Sequence, residues 1–400
     1  MESLKILQLD TNDRMKKMDE NVLSFNKEKL KGNKIGVFFG TFAPFHVGHQ
    51  SEVYKALADN DGVLIITSGF SGDRGDNIGL PLMKRFRYLR KAFFKEKNVG
   101  IAYLNEDNIP KMPKGWDVWL KKLVSIIEKN INNKKAKITF YTGEKNYKKE
   151  IEKRLGSNSQ FRVFVMDRSI LNISATRIRK EPFKYWNCIN PIFRRNFTKK
   201  ILFVDFNSIH KTTLKKGFSY LTNLYCSSNY LPFFLREENI SLSEMNERDY
   251  LKVIKKQFWI NEKSINSPYN NGFVMFSSSI ISLQAYFELF FSKKVFNDLK
   301  SVFKKMVSKE NLDLIVISSP PEKIQNHSLF KGGKINSNIY YQKLLNLISY
   351  YHLSDRLIFL SSKEKLNKKA YDYYENYLKF LKIIKKYTNF DFKKFFHLSN

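Results

Sequence analysis

Cysteine is scarce. Cys188 and Cys226 are the only two in the chain, too few for a disulfide framework, which points to a reducing cytoplasm. Long apolar runs are missing as well. The longest apolar region, Gly272 to Phe291, is interrupted by Ser277, Ser278, Ser279, Ser282, Gln284 and Glu288. A buried strand followed by an amphipathic helix is expected there, and no membrane span. Met1 to Lys31 is charged and lacks the apolar core of a signal peptide, so no membrane partner is expected. Acidic residues are few: Asp plus Glu number 38 against 70 Lys plus Arg, a formal net charge of +32. Such a balance suits nucleic acid or a membrane surface. The excess, however, is mostly Lys spread along the whole chain among many Asn, Ile, Phe and Tyr. Compositional drift explains that spread, and attraction of polyanionic ligands, nucleotides among them, stays open beside it. Residues 1–33, with one helix expected over 10–30, are too short and poorly patterned for a helix-turn-helix domain. Nucleic acid is therefore not expected as a partner.

What the chain does have is periodicity. Four hundred residues of ordinary apolar content make a globular chain of two or three domains. From Lys34 onward, strand-like runs at 35–39, 63–67, 99–104, 138–141 and 162–166 alternate with helical patterns at 47–59, 82–95, 116–131 and 145–155. This alternation predicts a doubly wound parallel sheet. The basic stretch 191–200, with Pro191, reads as a linker. Alternation then restarts, with strands at 201–204, 273–276, 312–318 and 357–360 and helices at 212–225, 247–262, 280–292, 297–307, 337–351 and 363–386. The expected fold class is α/β with two tandem domains, an extension at 1–33, a first domain at 34–190, the linker, and a second domain at 201–400.

Chemistry concentrates at the first strand-to-helix turn, Gly40-Thr41-Phe42-Ala43-Pro44-Phe45-His46-Val47-Gly48-His49. In an open α/β sheet, ligands bind outside the carboxyl ends of the strands. A helix N-terminus there offers free N–H groups and a positive dipole end to an anion. Gly40 and Gly48 let backbone approach a phosphate. His46 and His49, three apart at a helix start, point to one side and can donate to phosphate oxygens whose charge grows in a transition state. Only 6 histidines exist, and no cysteine or third histidine lies nearby at ligand spacing, which argues against zinc. Past the fifth strand, Ile173-Ser174-Ala175-Thr176-Arg177-Ile178-Arg179 places Ser174 as an N-cap. With Arg179 it could hold a di- or triphosphate.

These two segments resemble the G-x-F-x-P-x-H-x-G-H and I-S-x-T-x-x-R boxes of the HxGH nucleotidyltransferase superfamily. Further segments are similar to the NadR-type family: Ser68 to Asp76, Lys84 to Tyr88, Gly115 to Trp119, and Tyr185-Trp186 through Phe193-Arg194-Arg195. That family joins a nicotinamide mononucleotide (NMN) adenylyltransferase to a ribosylnicotinamide kinase, and some members add an N-terminal DNA-binding repressor domain. The resemblance implies a Rossmann-like nucleotidyltransferase sheet followed by a P-loop-kinase-like domain. It also implies ATP and NMN as substrates, NAD and pyrophosphate as products, and Mg²⁺ as cofactor, held mainly by the ATP phosphates with no protein metal site. His49 would stabilise charge at the α-phosphate, His46 would orient phosphates beside it, and Ser174, Thr176 and Arg179 would hold the departing phosphates. Gly40, Thr41, Phe42 and Gly48 would line the nucleotide, with Gly143 bounding the ribose pocket. For NMN, Trp116 is the candidate stacking face, with core packing as the alternative for it and Trp119. Asp73 would shape the loop around the ring. Lys84 and Arg87 are phosphate candidates, with a solvated helix face as the alternative.

The second domain departs from the pattern. A P-loop needs G-x-x-x-x-G-K-[ST] so that consecutive N–H groups wrap the phosphates. At Asp205 to Thr213, Lys211 and Thr212 survive, but Asp205 and His210 replace both glycines. The resemblance also implies an Asp-Thr-Asp after the strand at 273–276; this chain has Ser277-Ser278-Ser279 there, losing the carboxylates that would serve Mg²⁺ and the substrate hydroxyl. The expectation is a kinase-like domain without phosphoryl transfer, kept as a structural partner, a homo-oligomer interface or a nucleotide sensor. The competing expectations are a fully bifunctional enzyme and a DNA-binding regulator of NAD metabolism.

Overall fold

The computed structural model describes residues 29–167, 171–204, 225–290, 293–318, 337–360 and 378–386. They fall into two units, Met1–Asn196 and Phe197–Asn400, each built on one five-stranded sheet.

In the first unit, β1 (Lys34–Gly40), α1 (Val47–Asp59), β2 (Gly62–Gly69), α2 (Leu82–Ala92), β3 (Val99–Asn105), α3 (Trp116–Asn130), β4 (Lys137–Thr142), α4 (Lys145–Leu155) and β5 (Phe161–Val165) alternate as the periodicity predicts. The strands pair in parallel, in the order β3-β2-β1-β4-β5. Parallel strands are covered on both faces by their crossover helices, so they read as continuous apolar runs, and every residue of β2 is buried. On one face Ile35, Val37, Leu64, Ile66, Ile138 and Phe140 pack with Trp119, Leu120, Leu123 and Ile127 of α3. The strand order reverses between β1 and β4, so the connections after them diverge. That opens a crevice at the carboxyl ends of these two strands.

Two expectations about the flanks are corrected. Leu30 does not end a helix. It pairs with Ile131 as a parallel bridge, its N–H donating to the Asn130 carbonyl at 2.9 Å, while residues 1–28 of the extension lie outside the described residues. The basic stretch 191–200 is no linker either. After α5 (Ala175–Lys180), it forms α6 (Pro191–Arg194), capped by Asn190, with Phe193 fully buried. Proline at a helix start has no N–H to lose, which is why the same residue reads as a spacer in sequence.

The second unit contains β6 (Lys199–Val204), β7 (Tyr225–Ser227), α7 (Leu231–Glu237), α8 (Glu247–Ile265), β8 (Phe273–Phe276), α9 (Ile280–Phe287), α10 (Lys293–Glu310), β9 (Leu314–Ser318), α11 (Ser337–Tyr350) and β10 (Leu357–Leu360). Its sheet is parallel, in the order β10-β9-β6-β8-β7, the kinase-like arrangement expected. Tyr225 begins a strand where a helix over 212–225 was expected, and the rest of that span lies outside the described residues, as do Lys211 and Thr212. Helix α7 escapes the periodicity because Pro232 stands in its first turn. Helix α9 is buried at all its positions. It is therefore a core helix and not the amphipathic one expected after β8. No helix among the described residues is long and apolar enough to cross a membrane.

Ser277, Ser278 and Ser279 turn inward. The Ser277 hydroxyl donates to the Ser227 carbonyl at 2.6 Å, and Ser279 caps α9 by accepting the Ser282 N–H. The Ser278 carbonyl accepts from Gln257 and Asn261 of α8. Asn261 also donates to Glu310 Oε1 at 2.7 Å, and the Ile280 N–H donates to Glu310 Oε2 at 3.0 Å. Burial raises the Glu310 pKa from 4.5 to about 7, against the pull of Asn261, the Ile280 N–H and Lys200. Between those values the folded state holds a proton that the unfolded state has released. The stability from this group is thus fully present below about 4.5, and about 3 kcal/mol of it is lost as pH rises through about 7. Glu310→Gln should flatten that segment of the stability–pH curve in urea unfolding measured from pH 4 to pH 8.

Candidate active site

The chain leaves β1 at Gly40 and enters α1 at Val47. His46 is the N-cap, with extended φ −141° and ψ 172°, and so points its ring back over the first helical turn. There it stacks on His49, ring centroids 3.7 Å apart and planes 25° from parallel. Phe42, Phe45 and Phe38 surround the His49 ring, with centroids at 5.1, 5.3 and 6.0 Å. Aromatic edges and faces on three sides hold the imidazole in place. Glycine at 48 is what admits the stack. A Cβ there would lie 3.1 Å from His46 Cε1 and 3.2 Å from Ile173 Cγ2. The same contact places the second motif beside the first.

That second motif is fastened to the turn. Ser174 caps α5, its Oγ accepting the Arg177 N–H at 3.2 Å. Arg179 donates from Nη1 to the Ala43 carbonyl at 2.8 Å and from Nη2 to Thr176 Oγ1 at 2.9 Å. From the β2 side, Arg74 donates to Thr41 Oγ1 at 2.8 Å. Burial first, and then the Arg74 charge, lower the Arg179 pKa from its ordinary value. Two guanidinium groups thus converge on one short loop, and among the described residues neither is paired with a carboxylate. Two like charges held near a dry loop favour an anion between them.

Beneath the loop lies a buried ion pair that the sequence motifs do not announce. Arg85 of α2, fully buried, donates to Asp73 Oδ2 at 2.7 Å and to the Thr41 carbonyl at 3.0 Å. The other Asp73 oxygen accepts the N–H groups of Gly75 and Asp76 at 2.7 and 3.0 Å. Glycine is required beside the pair, since a Cβ at Gly69 would lie 2.3 Å from both Arg85 Nη2 and Asp73 Oδ2. Asp73 therefore holds the loop from inside. Lys84 donates to the Gly79 carbonyl at 2.8 Å and to Asn196 Oδ1 at 2.7 Å, while Arg87 is exposed on α2. Sequence reasoning singles out Lys84 and Arg87 in this segment and passes over Arg85. The signal that finds it is burial: Arg85 shares a face of α2 with Phe86 and Leu89.

Trp116 opens α3 and is only 5% exposed, edge-to-face with Trp119 at 5.8 Å and Tyr147 at 5.1 Å. Trp119 and Tyr147 each lie 5.3 Å from Phe39, the residue before Gly40. The aromatic patch so formed belongs to the core on this face of the sheet, with Phe39 and Tyr147 as its partly buried edge, so core packing, the alternative given for Trp116 and Trp119, is what the structure places there. Gly143, partly exposed, directly follows β4. A brace that sequence reasoning missed comes from residues 189–190. Ile189 bridges His46, the Asn190 N–H donates to the Phe45 carbonyl at 3.1 Å, and Asn190 Nδ2 donates to Gln50 Oε1 at 3.3 Å. Among the described residues no cluster of His, Cys, Asp and Glu could hold a metal ion.

No protein-family model matches the chain. A NadR protein crystallised in complex with NR is 35% identical and superposes with a TM-score of 0.82, covering 91% of this chain and 99% of its own. A NadR protein in complex with NAD and AMP-PNP is also 35% identical, with a TM-score of 0.79 over 91% of this chain and 98% of its own. The trifunctional NAD biosynthesis/regulator protein NadR of Salmonella typhimurium is 29% identical over 205 residues, 49% of this chain and 48% of that protein. Its Escherichia coli counterpart is 28% identical over 221 residues, 52% of this chain and 50% of that protein. The chain thus spans about half the length of the curated relatives it matches.

Removing one half of a buried ion pair leaves an uncompensated charge, so Arg85→Met should destabilise the first unit by about 3–5 kcal/mol. In a double-mutant cycle with Asp73→Asn, the loss in the double variant should fall well short of the sum of the two single losses. Urea unfolding followed by tryptophan fluorescence reads both.

Proposed function

The chain belongs to the NadR family, and we propose that its first unit transfers the adenylyl group of ATP to the phosphate of NMN, forming NAD and releasing pyrophosphate. One observation carries the reading: the stacked His46–His49 pair and Arg179 are joined on one turn, by the Ala43 carbonyl and by the Gly48–Ile173 contact. An NMN phosphate oxygen attacks the α-phosphorus in line, and the bond from that phosphorus to the oxygen bridging to the β-phosphate breaks. The electron pair leaves with pyrophosphate. The chain forms no covalent bond to the substrate, so positioning and charge stabilisation carry the catalysis.

In this mechanism His49 donates to the α-phosphate oxygens as their charge grows, and its aromatic surround keeps it in place. His46 orients the adjoining phosphates. Arg179 and the exposed Ser174 and Thr176 hold the departing β- and γ-phosphates, while Gly40, Thr41, Phe42 and Gly48 line the nucleotide. Gly143 bounds the ribose side and the Trp116 patch the NMN ring. Asp73 acts through the loop and Arg85, with Lys84 bracing that loop and Arg87 left as the solvent-side phosphate contact. Mg²⁺ would arrive on ATP. The groups around the turn are hydrogen-bond donors and not the oxygen ligands that a hard cation takes, so the triphosphate would hold the ion.

For the second unit we infer that phosphoryl transfer is lost. Of the three serines after β8, Ser277 is spent on a backbone carbonyl, Ser279 on a helix cap and Ser278 on the Ser282 hydroxyl, where catalysis would need carboxylates facing a metal. The competing reading is a live kinase, favoured by a relative bound to NR that covers 91% of this chain.

Incubation of the purified chain with ATP, NMN and Mg²⁺ should yield NAD. His49→Ala should lower kcat about 100- to 1,000-fold, and full activity in that variant would overturn the assignment. Nicotinamide riboside with ATP should give no phosphorylated product. A product that disappears in Lys211→Ala would restore the kinase.

A further inference from the structure

At the carboxyl end of β3 stands a carboxylate that the catalytic scheme does not use. Glu106 follows Asn105, its N–H donating to the Gly69 carbonyl at 2.9 Å, so its backbone is locked to the end of β2. Its Oε1 accepts the indole N–H of Trp119 at 3.0 Å. Trp119 packs against Phe39, Trp116 and Tyr147, which places the carboxylate at the border of the aromatic patch. Desolvation raises its pKa, opposed by hydrogen bonds from Trp119 and Ser68. Among the described residues no Lys, Arg or His forms an ion pair with it, since the nearby Arg85 is committed to Asp73. A carboxylate offers about four lone-pair sites, and the Trp119 and Ser68 contacts leave acceptor capacity.

Glu106 also acts on Tyr147, which packs against Trp119 with ring centroids 5.7 Å apart. The Tyr147 pKa is pushed up to about 12, by burial first and then by the charges of Glu144 and Glu106, with Arg74 opposing. Glu106 and Arg74 therefore act on one small space, and Arg74 is bonded to Thr41 of the catalytic turn.

Resting on the adenylyl-transfer reading above, we propose that Glu106 sets acceptor specificity, its carboxylate accepting the carboxamide N–H of NMN and repelling the carboxylate of nicotinic acid mononucleotide. The aromatic faces and the negative charge suit the cationic pyridinium of either acceptor. The two differ only in the group on the ring, an amide that donates against a carboxylate that cannot. A site whose acceptor is already desolvated discriminates strongly between such groups, because the wrong one leaves like charges facing each other.

The test compares both acceptors at saturating ATP for wild type and Glu106→Gln. Glutamine keeps an oxygen for the Trp119 indole and presents an N–H₂ that can serve a carboxylate. Wild type should prefer NMN by about a hundredfold or more in kcat/KM. Glu106→Gln should narrow that ratio to below about tenfold, by raising use of nicotinic acid mononucleotide, with the KM for ATP and the melting temperature unchanged. Wild type that prefers the nicotinate acceptor would overturn the inference, as would equal losses on both acceptors in a folded variant or a change confined to the KM for ATP. Wild type inactive on both acceptors would instead remove the adenylyl-transfer reading on which the inference rests.

Discussion

The turn after β1 depends on a charge pair held almost wholly out of water. Arg85 and Asp73 are joined in the interior and together hold the two loops that form the floor of the crevice. Arg85 grips the carbonyl of Thr41, and Asp73 grips the N–H groups of Gly75 and Asp76. Burying two charges costs several kcal/mol before their attraction is counted. The return is positional: the loop after β1 cannot shift without breaking a hydrogen bond in a place where no water can replace it. His46, His49, Thr41 and Arg74 all inherit their coordinates from that floor.

Two guanidinium groups are layered above it. Arg74 reaches Thr41 from the β2 side and Arg179 reaches Ala43 from α5. The imidazole stack stands between aromatic rings that hold it by shape. Charge is supplied by groups from distant parts of the sequence, and geometry by local packing. In the second unit the corresponding ground behind β8 is used differently. Buried serines, Gln257, Asn261 and Glu310 satisfy one another there, so polar groups serve cohesion of the core.

Much of this was legible in the chain. The strands at 273–276 and 357–360 and the helix at 47–59 coincide with the periodicity, because parallel buried strands carry unbroken apolar runs and their helices carry one apolar stripe. The turn from Gly40 to His49 and its partnership with Ser174 and Arg179 were also readable, since residue type and spacing there follow from the chemistry. What could not be read was long-range pairing. Arg85 looked like one of several basic residues on a helix, and only the fold reveals that it faces inward toward Asp73. Residues 191–200 looked like a spacer because Pro191 and the arginines mask a capped helical turn. Trp116 and Trp119 pose the opposite difficulty, since a large aromatic residue at a helix start has the same signature whether it packs or binds. Helix α9 misled for a related reason: its serines and glutamine suggested a wet face, yet internal hydrogen bonds satisfy them within the core.

The brace by Ile189 and Asn190 bears on the order in which the protein is made. His46 and Phe45 emerge early in synthesis, but their backbone partners lie more than a hundred residues downstream, behind all five strands of the first sheet. Domains fold as units while the chain is still being elongated. The sheet can therefore assemble around a turn that is still unfastened. The nascent chain acquires a finished turn after β1 only when Ile189 and Asn190 have left the ribosome.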